Sequence, residues 1–280
     1  MDSEPQELKA NRPTSELARL QILVRHLLDV WPRVLQRREF LRKMAQSEAL
    51  REAFVQTYAG HVFNAMHGAL SGDLVRSIGA YILDRNSRSV SVARAITALR
   101  KPSVIAQLQV HVYGMVPRTQ SENPATAAAI ERLQNAEFTS IIVGLPAELR
   151  EIQRTVIDAP MAKIVEEVRN KLIAHAAIEF DGKNWKVWTI GGTQLTYSQL
   201  DCYIDECTKA VDKLSHRVLR HAHSFGDQPE IDQRYADEYI EALVNGLTQQ
   251  KQERERKRQE NLRQTQELIA STSTEIFPKT

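Results

Sequence analysis

Residues 196–219 read TYSQLDCYIDECTKAVDKLSHRVL, and this stretch sets the fold class. Apolar side chains recur at Leu200, Tyr203, Ile204, Cys207, Val211, Leu214, Val218 and Leu219, the three-and-four spacing of one helical face. Thr196 and Gln199 supply a capping-box pattern where that helix opens. Just upstream a β feature interrupts the helices. Asp181-Gly182-Lys183-Asn184 separates Ile178–Phe180 from Trp185–Ile190, the pattern of a short hairpin. A lone hairpin is marginal in water, so it is expected to pack on helices.

The helical period continues toward the N-terminus. A helix over 160–175 turns Ile164, Val165, Val168, Leu172 and Ile173 inward, after a break at Asp158-Ala159-Pro160. Asn123 caps a helix that starts at Pro124 and runs to Ile142, with Gly144 and Pro146 marking its end and the next start. Residues 103–122 fit helix or strand, ended by Pro117. A short helix spans 90–100, and a longer one spans 62–83 before Asp84-Arg85-Asn86-Ser87 stops it. Residues 33–58 carry a stripe of Val34, Leu41, Ala45, Leu50, Phe54 and Tyr58. Ser15 caps a helix to Trp31 with Leu17, Leu20, Val24, Leu27 and Leu28 inward.

Downstream, a last helix begins near Asp232 with Tyr235, Tyr239, Ile240, Leu243 and Leu247. From 249 to 266 it turns polar, with charges of both signs between Lys251 and Arg258. It reads as a solvated, salt-bridged helix, or else as a basic arm for RNA or a partner helix. No heptad stripe supports a long coiled coil. The chain therefore divides into a flexible arm (1–14), a helical domain (15–225) and a C-terminal helix with a charged tail (226–280).

Composition agrees with an all-α chain. Its 280 residues contain only 11 Gly and 10 Pro, too few for a many-turned β fold. Hydrophobic residues make up 42% and charged residues 26%, enough to build a core. The net charge of +2 gives no whole-molecule field for nucleic acid, so any such contact must be local. No apolar run reaches the ~20 residues that span a bilayer, and the N-terminus shows no signal-peptide pattern. A cytoplasmic protein without membrane contact is expected. Cys202 and Cys207 fall about 140° apart on a helix, poorly placed for a disulfide, and read as reduced packing residues.

Chemistry concentrates in Arg169-Asn170-Lys171-Leu172-Ile173-Ala174-His175. A histidine titrates near neutral pH and moves protons. An arginine fork holds phosphate and stays charged. Together they can cleave RNA without a metal: a base activates the 2′-OH, the cation stabilises the pentacoordinate phosphorus, and an acid protonates the leaving 5′-oxygen, leaving a 2′,3′-cyclic phosphate. On an ideal helix the two residues point about 120° apart. Either the helix loosens near His175, or two copies pool their residues in a dimer. The alternative is an ordinary helix C-terminus with His175 at the negative dipole end. Lys171 is a candidate contact to the RNA backbone, with a solvated surface lysine as its alternative. Trp185 and Trp188 alternate with Lys183 and Lys186, which suits either base stacking or packing of the hairpin. Asp84 and Arg85 either terminate a helix or line the cleft. No Gly-rich phosphate loop, HExxH or paired CxxC occurs, and His221-Ala222-His223 lacks partners at metal spacing, so neither metal nor cofactor is expected.

The run from Arg169 to His175 resembles the Arg, polar residue, then His motif of HEPN domains, in wording closest to the abortive-infection AbiU-like branch. Ala69–Arg76 through Tyr81-Ile82-Leu83-Asp84-Arg85, then Ser89-Val90-Ser91-Val92, resembles the same branch, where an apolar helix ends before a Ser-rich cap and a short helix. The Leu195-Thr196 helix start also fits. The resemblance covers about residues 15–225 and leaves out 230–280. It implies an all-α HEPN-like bundle, with the hairpin following the motif helix and an extended C-terminal helix. It implies a homodimer that lines an RNA-cleaving cleft with Arg169 on the phosphate, His175 transferring protons and Asn170 orienting them. It further implies a ribonuclease of a phage-defence or toxin system, with an antitoxin or defence-system partner. Some HEPN-like proteins only bind RNA or a protein, and that is the alternative function.

Overall fold

The computed structural model describes residues 15–54, 59–115, 123–174, 178–180, 185–187, 195–220, 225 and 228–276. Nine α-helices occur among them: α1 (Glu16–Gln46), α2 (Glu48–Phe54), α3 (Ala59–Ile78), α4 (Val92–Leu99), α5 (Pro102–Met115), α6 (Pro124–Ile152), α7 (Pro160–Val168), α8 (Tyr197–Leu219) and α9 (Gln228–Ile276). Three helices pass directly into wider π turns: α3 at Gly79–Leu83, α6 at Gln153–Ile157 and α7 at Arg169–Ala174. Strands β1 (Ile178–Phe180) and β2 (Trp185–Val187) pair antiparallel, with Phe180 opposite Trp185. Residues 181–184 and 188–190 of the expected hairpin lie outside the described residues.

The chain divides into two units, Met1–Arg38 with Leu70–Pro229, and Glu39–Ala69 with Glu230–Thr280. In the first, α4 is the hub. Its Val92, Ala93, Ala95, Ile96 and Leu99 are buried, and it touches α5, α8 and the π turns at 79–83 and 153–157. Ser91 caps α4 by accepting from the Arg94 N–H at 3.2 Å, and its own hydroxyl donates to the Asp84 carbonyl. The serine-rich element thus ties the stop of one helix to the start of the next. Polar groups pin α1 onto this core: Trp31 Nε1 donates to Thr208 Oγ1 at 3.0 Å, and Arg38 spans Asp201 and, at 2.6 Å, Asp205. Burial lowers the Arg38 pKa, but the two carboxylates outweigh it and hold the group above its ordinary value. On α8 the expected capping box forms, with Thr196 accepting from the Gln199 N–H at 3.3 Å.

In the second unit, Phe40 meets Tyr239 edge-on at 5.1 Å, Phe54 meets Phe63 at 4.7 Å, and Lys43 pairs with Asp237 at 2.7 Å. Ala236 and Ile240 give α9 its buried face there.

Several expected boundaries are corrected. α1 runs through Pro32, and α6 runs through Gly144 and Pro146. Burial of Trp31, Val34 and Leu35 around the first proline, and of Leu145 and Leu149 around the second, outweighs one lost backbone bond. Residues 102–115 are helix, not strand. α9 opens at Gln228, ahead of Asp232. Ala45 is exposed and Met44 takes its place in the core. Cys202 is exposed, so only Cys207 packs.

Candidate functional site

Pro160 starts α7 after an extended residue, Ala159, and Ala162, Val165 and Val168 bury its inner face. The helix then widens, so that Arg169 opens a π turn of six residues. π turns are rare and concentrate at functional sites. Arg169 is half-buried, and its side chain lies across the backbone of Gly79, the first residue of the π turn that ends α3. A Cβ at Gly79 would sit 2.6 Å from Arg169 Cδ and 3.2 Å from Nη1. The absent Cβ is what lets the arginine stem lie this close.

Arg169 Nε donates to Asn170 Oδ1 at 3.3 Å, the one side-chain bond the fork makes among the described residues. Its two terminal nitrogens meet no carboxylate among them. Asn170 is exposed beside it. Lys171 pairs with Glu167 at 2.9 Å one turn back. The structure thus brings Arg169 and Asn170 together and turns Lys171 to a carboxylate. His175 lies outside the described residues, as do His221, His223, Lys183 and Trp188. His216 is exposed on α8.

The surroundings are built from the other π turns. The turn at 79–83 touches that at 153–157. Tyr203 donates its hydroxyl to the Val156 carbonyl at 2.8 Å from α8, and burial holds this phenol protonated, well above its ordinary pKa. Asp84 ends the first π turn and Asp158 the second, and Arg85 reaches Asp158 at 3.7 Å. Asp84 is a helix terminator, accepting from the Asn86 N–H at 2.9 Å. Among the described residues no group of three or more His, Cys, Asp or Glu could hold a metal ion, and no helix is long and apolar enough to cross a membrane.

Sequence reasoning missed Gly79. Its signal was a glycine inside an apolar helical stripe, where it costs about 1 kcal/mol against alanine and so asks for a packing reason.

The family model HEPN_AbiU2, described as AbiU2, matches residues 14–239. The chain belongs to the AbiU2 family of HEPN domains. The match takes in the whole Arg169–His175 run and continues into the start of α9, further than the resemblance that stopped near 225. Its AbiU2 membership makes this an abortive-infection type of HEPN domain, and the described residues are almost wholly helical, consistent with an all-α HEPN-like fold. No curated protein and no solved structure matches the chain.

Proposed function

We propose that this HEPN domain is a metal-independent endoribonuclease of a bacterial or phage defence or toxin-like system, cutting RNA by attack of the 2′-OH on the adjacent phosphorus. The observation that carries this reading is Arg169: a half-buried cation, positioned by Gly79 and Asn170, whose terminal N–H groups meet no carboxylate among the described residues. A fixed cation aimed at developing phosphoryl charge is the largest single contribution such a site makes. Asn170 holds the fork. His175 moves the proton from the 2′-OH, or delivers one to the 5′-oxygen. One histidine cannot serve both ends of one phosphate at once, which favours a homodimer that pools two motifs. Lys171 adds a cation to the approach of the RNA, weakened by its pair with Glu167. The reading places the protein in the cytoplasm, with its RNA.

Labelled RNA incubated with the purified protein in EDTA tests this. Wild type is expected to cut and leave 2′,3′-cyclic phosphate ends, while Arg169→Ala and His175→Ala each fall by at least about 100-fold with unchanged circular dichroism. Activity that disappears with the chelator would sink the metal-free step. RNA binding with no cleavage would leave the non-catalytic, RNA- or protein-binding HEPN module in its place.

A further inference from the structure

A second set of cations lies beyond Arg169. The first turns of α1, the face of α4, the start of α5 and the 84–91 connection enclose a surface groove of about 270 Å³. Arg19, Arg85, Arg94 and Lys101 line it, against one carboxylate among the described residues, Glu16. Glu16 is already engaged by Lys101 and by Ser103, each at 2.6 Å, and these bonds hold its carboxyl below the usual range. Glu16 also feels the charge of Arg19, so one carboxylate is shared between two cations and Arg85 and Arg94 have no carboxylate partner among the described lining residues. Arg94 is held by a neutral acceptor, the Ser89 carbonyl at 2.5 Å. Arg85 is 69% exposed and reaches Asp158, outside the groove, only at 3.7 Å. Arg19 is exposed and acts on Glu16 only through its charge, without a side-chain hydrogen bond or close ion pair among the described residues.

We infer that this groove binds the phosphodiester backbone of the RNA strand whose cleavage is proposed above. It rests on that reading. Arginine forks match phosphate oxygens in two-point contacts. The floor is aliphatic, from Leu20, Leu23 and Val104, and no aromatic ring among the described residues lines the groove. Bases therefore find nothing to stack on, and the contact is to backbone, without sequence preference. An acidic protein segment would satisfy the same charges, but continuity favours RNA. Arg85 leaves the π turn that begins at Gly79, under Arg169. Gly79 and Arg85 are six residues apart, the last two steps leaving the turn through an extended Asp84, a separation on the order of 10 Å, so a single strand reaches both.

The test is an anisotropy titration of full-length protein with a fluorescent, single-stranded RNA carrying 2′-O-methyl groups throughout. Such RNA has no attacking hydroxyl and stays intact. The double variant Arg19→Gln, Arg85→Gln changes two exposed side chains, and circular dichroism checks its fold. It is expected to bind about tenfold more weakly than wild type, with the log–log salt slope shallower by about 1.4, or 0.7 for each lost phosphate contact. Arg19→Glu with Arg85→Glu binds more weakly still. Unaltered affinity in both double variants overturns the groove; the ribonuclease reading then survives if Arg169→Ala still abolishes cleavage of unmodified RNA. A wild type that neither binds nor cuts RNA overturns both.

Discussion

A single missing methyl group decides where Arg169 points. Gly79 gives up about 0.5–1 kcal/mol of helix stability relative to alanine, and the arginine stem occupies the vacated space. Gly79→Ala separates the two effects. The new Cβ meets a flexible side chain, so the fold accommodates it and the melting temperature stays level or rises. The guanidinium moves by an ångström or more, and RNA cleavage falls by about 10- to 100-fold. A variant that loses stability and activity in proportion would mean that Gly79 serves packing alone. The cysteines give a second residue-scale outcome. Cys207 is buried, and burial pushes its thiol well above the ordinary range, so it stays protonated and shielded. Cys202 is exposed. Iodoacetamide at neutral pH is expected to add one label to the native protein and two after denaturation, counted by mass spectrometry. The motif itself was legible, because Arg169 and Asn170 are adjacent in the chain and their chemistry is distinctive. Gly79 was not, since its role exists only through a contact ninety residues away.

At the scale of elements, periodicity located the helices and punctuation misplaced their ends. Ser91, Asn123 and Thr196 cap helices where their side chains say they should, since a cap is a local bond. The prolines misled, because the cost of a helical proline is local but the gain that offsets it is not. Pro146 is exposed, and it withholds an N–H from the Ile142 carbonyl, while Leu145 and Leu149 on either side are buried. Pro146→Ala restores that bond without disturbing the core. Thermal unfolding is expected to shift upward by a few degrees, for a gain of about 1 kcal/mol or more. A downward shift would show that the ring itself holds α6 in place. The π turns had no sequence signal at all. Arg169–Ala174 has ordinary helical composition, and only partners such as the Tyr203 hydroxyl on Val156 fix the wider backbone.

Across the whole molecule, helical order and tertiary support are unevenly matched. Every residue from Thr248 to Ile269 of α9 is exposed. Beyond Lys251, which reaches the Glu52 carbonyl at 2.9 Å, the bonds of residues 252–267 are local, as in Lys257 with Glu253 at 2.9 Å. Helix without a packed face is marginal, and local ion pairs add only a few tenths of a kcal/mol each. On heating, ellipticity at 222 nm is expected to decline steadily before the cooperative transition. Truncation after Gln252 should remove that slope and leave the midpoint within about 2 °C. A midpoint that drops with truncation would assign the tail a structural role.

The π turns also bear on how this chain tolerates changes in length. A hydrogen bond that closes over five residues in place of four holds one residue more than an α-helix needs. Each of the three turns is thus a stored insertion. Deleting one residue from Arg169–Ala174 would let the backbone relax into plain α-helix and keep its bonds. The deletion would still redraw the backbone inside the turn, where Arg169 and Asn170 are set. Length variants at these turns are therefore expected to fold and to lose function, whereas the same deletion in the exposed stretch of α9 goes unnoticed.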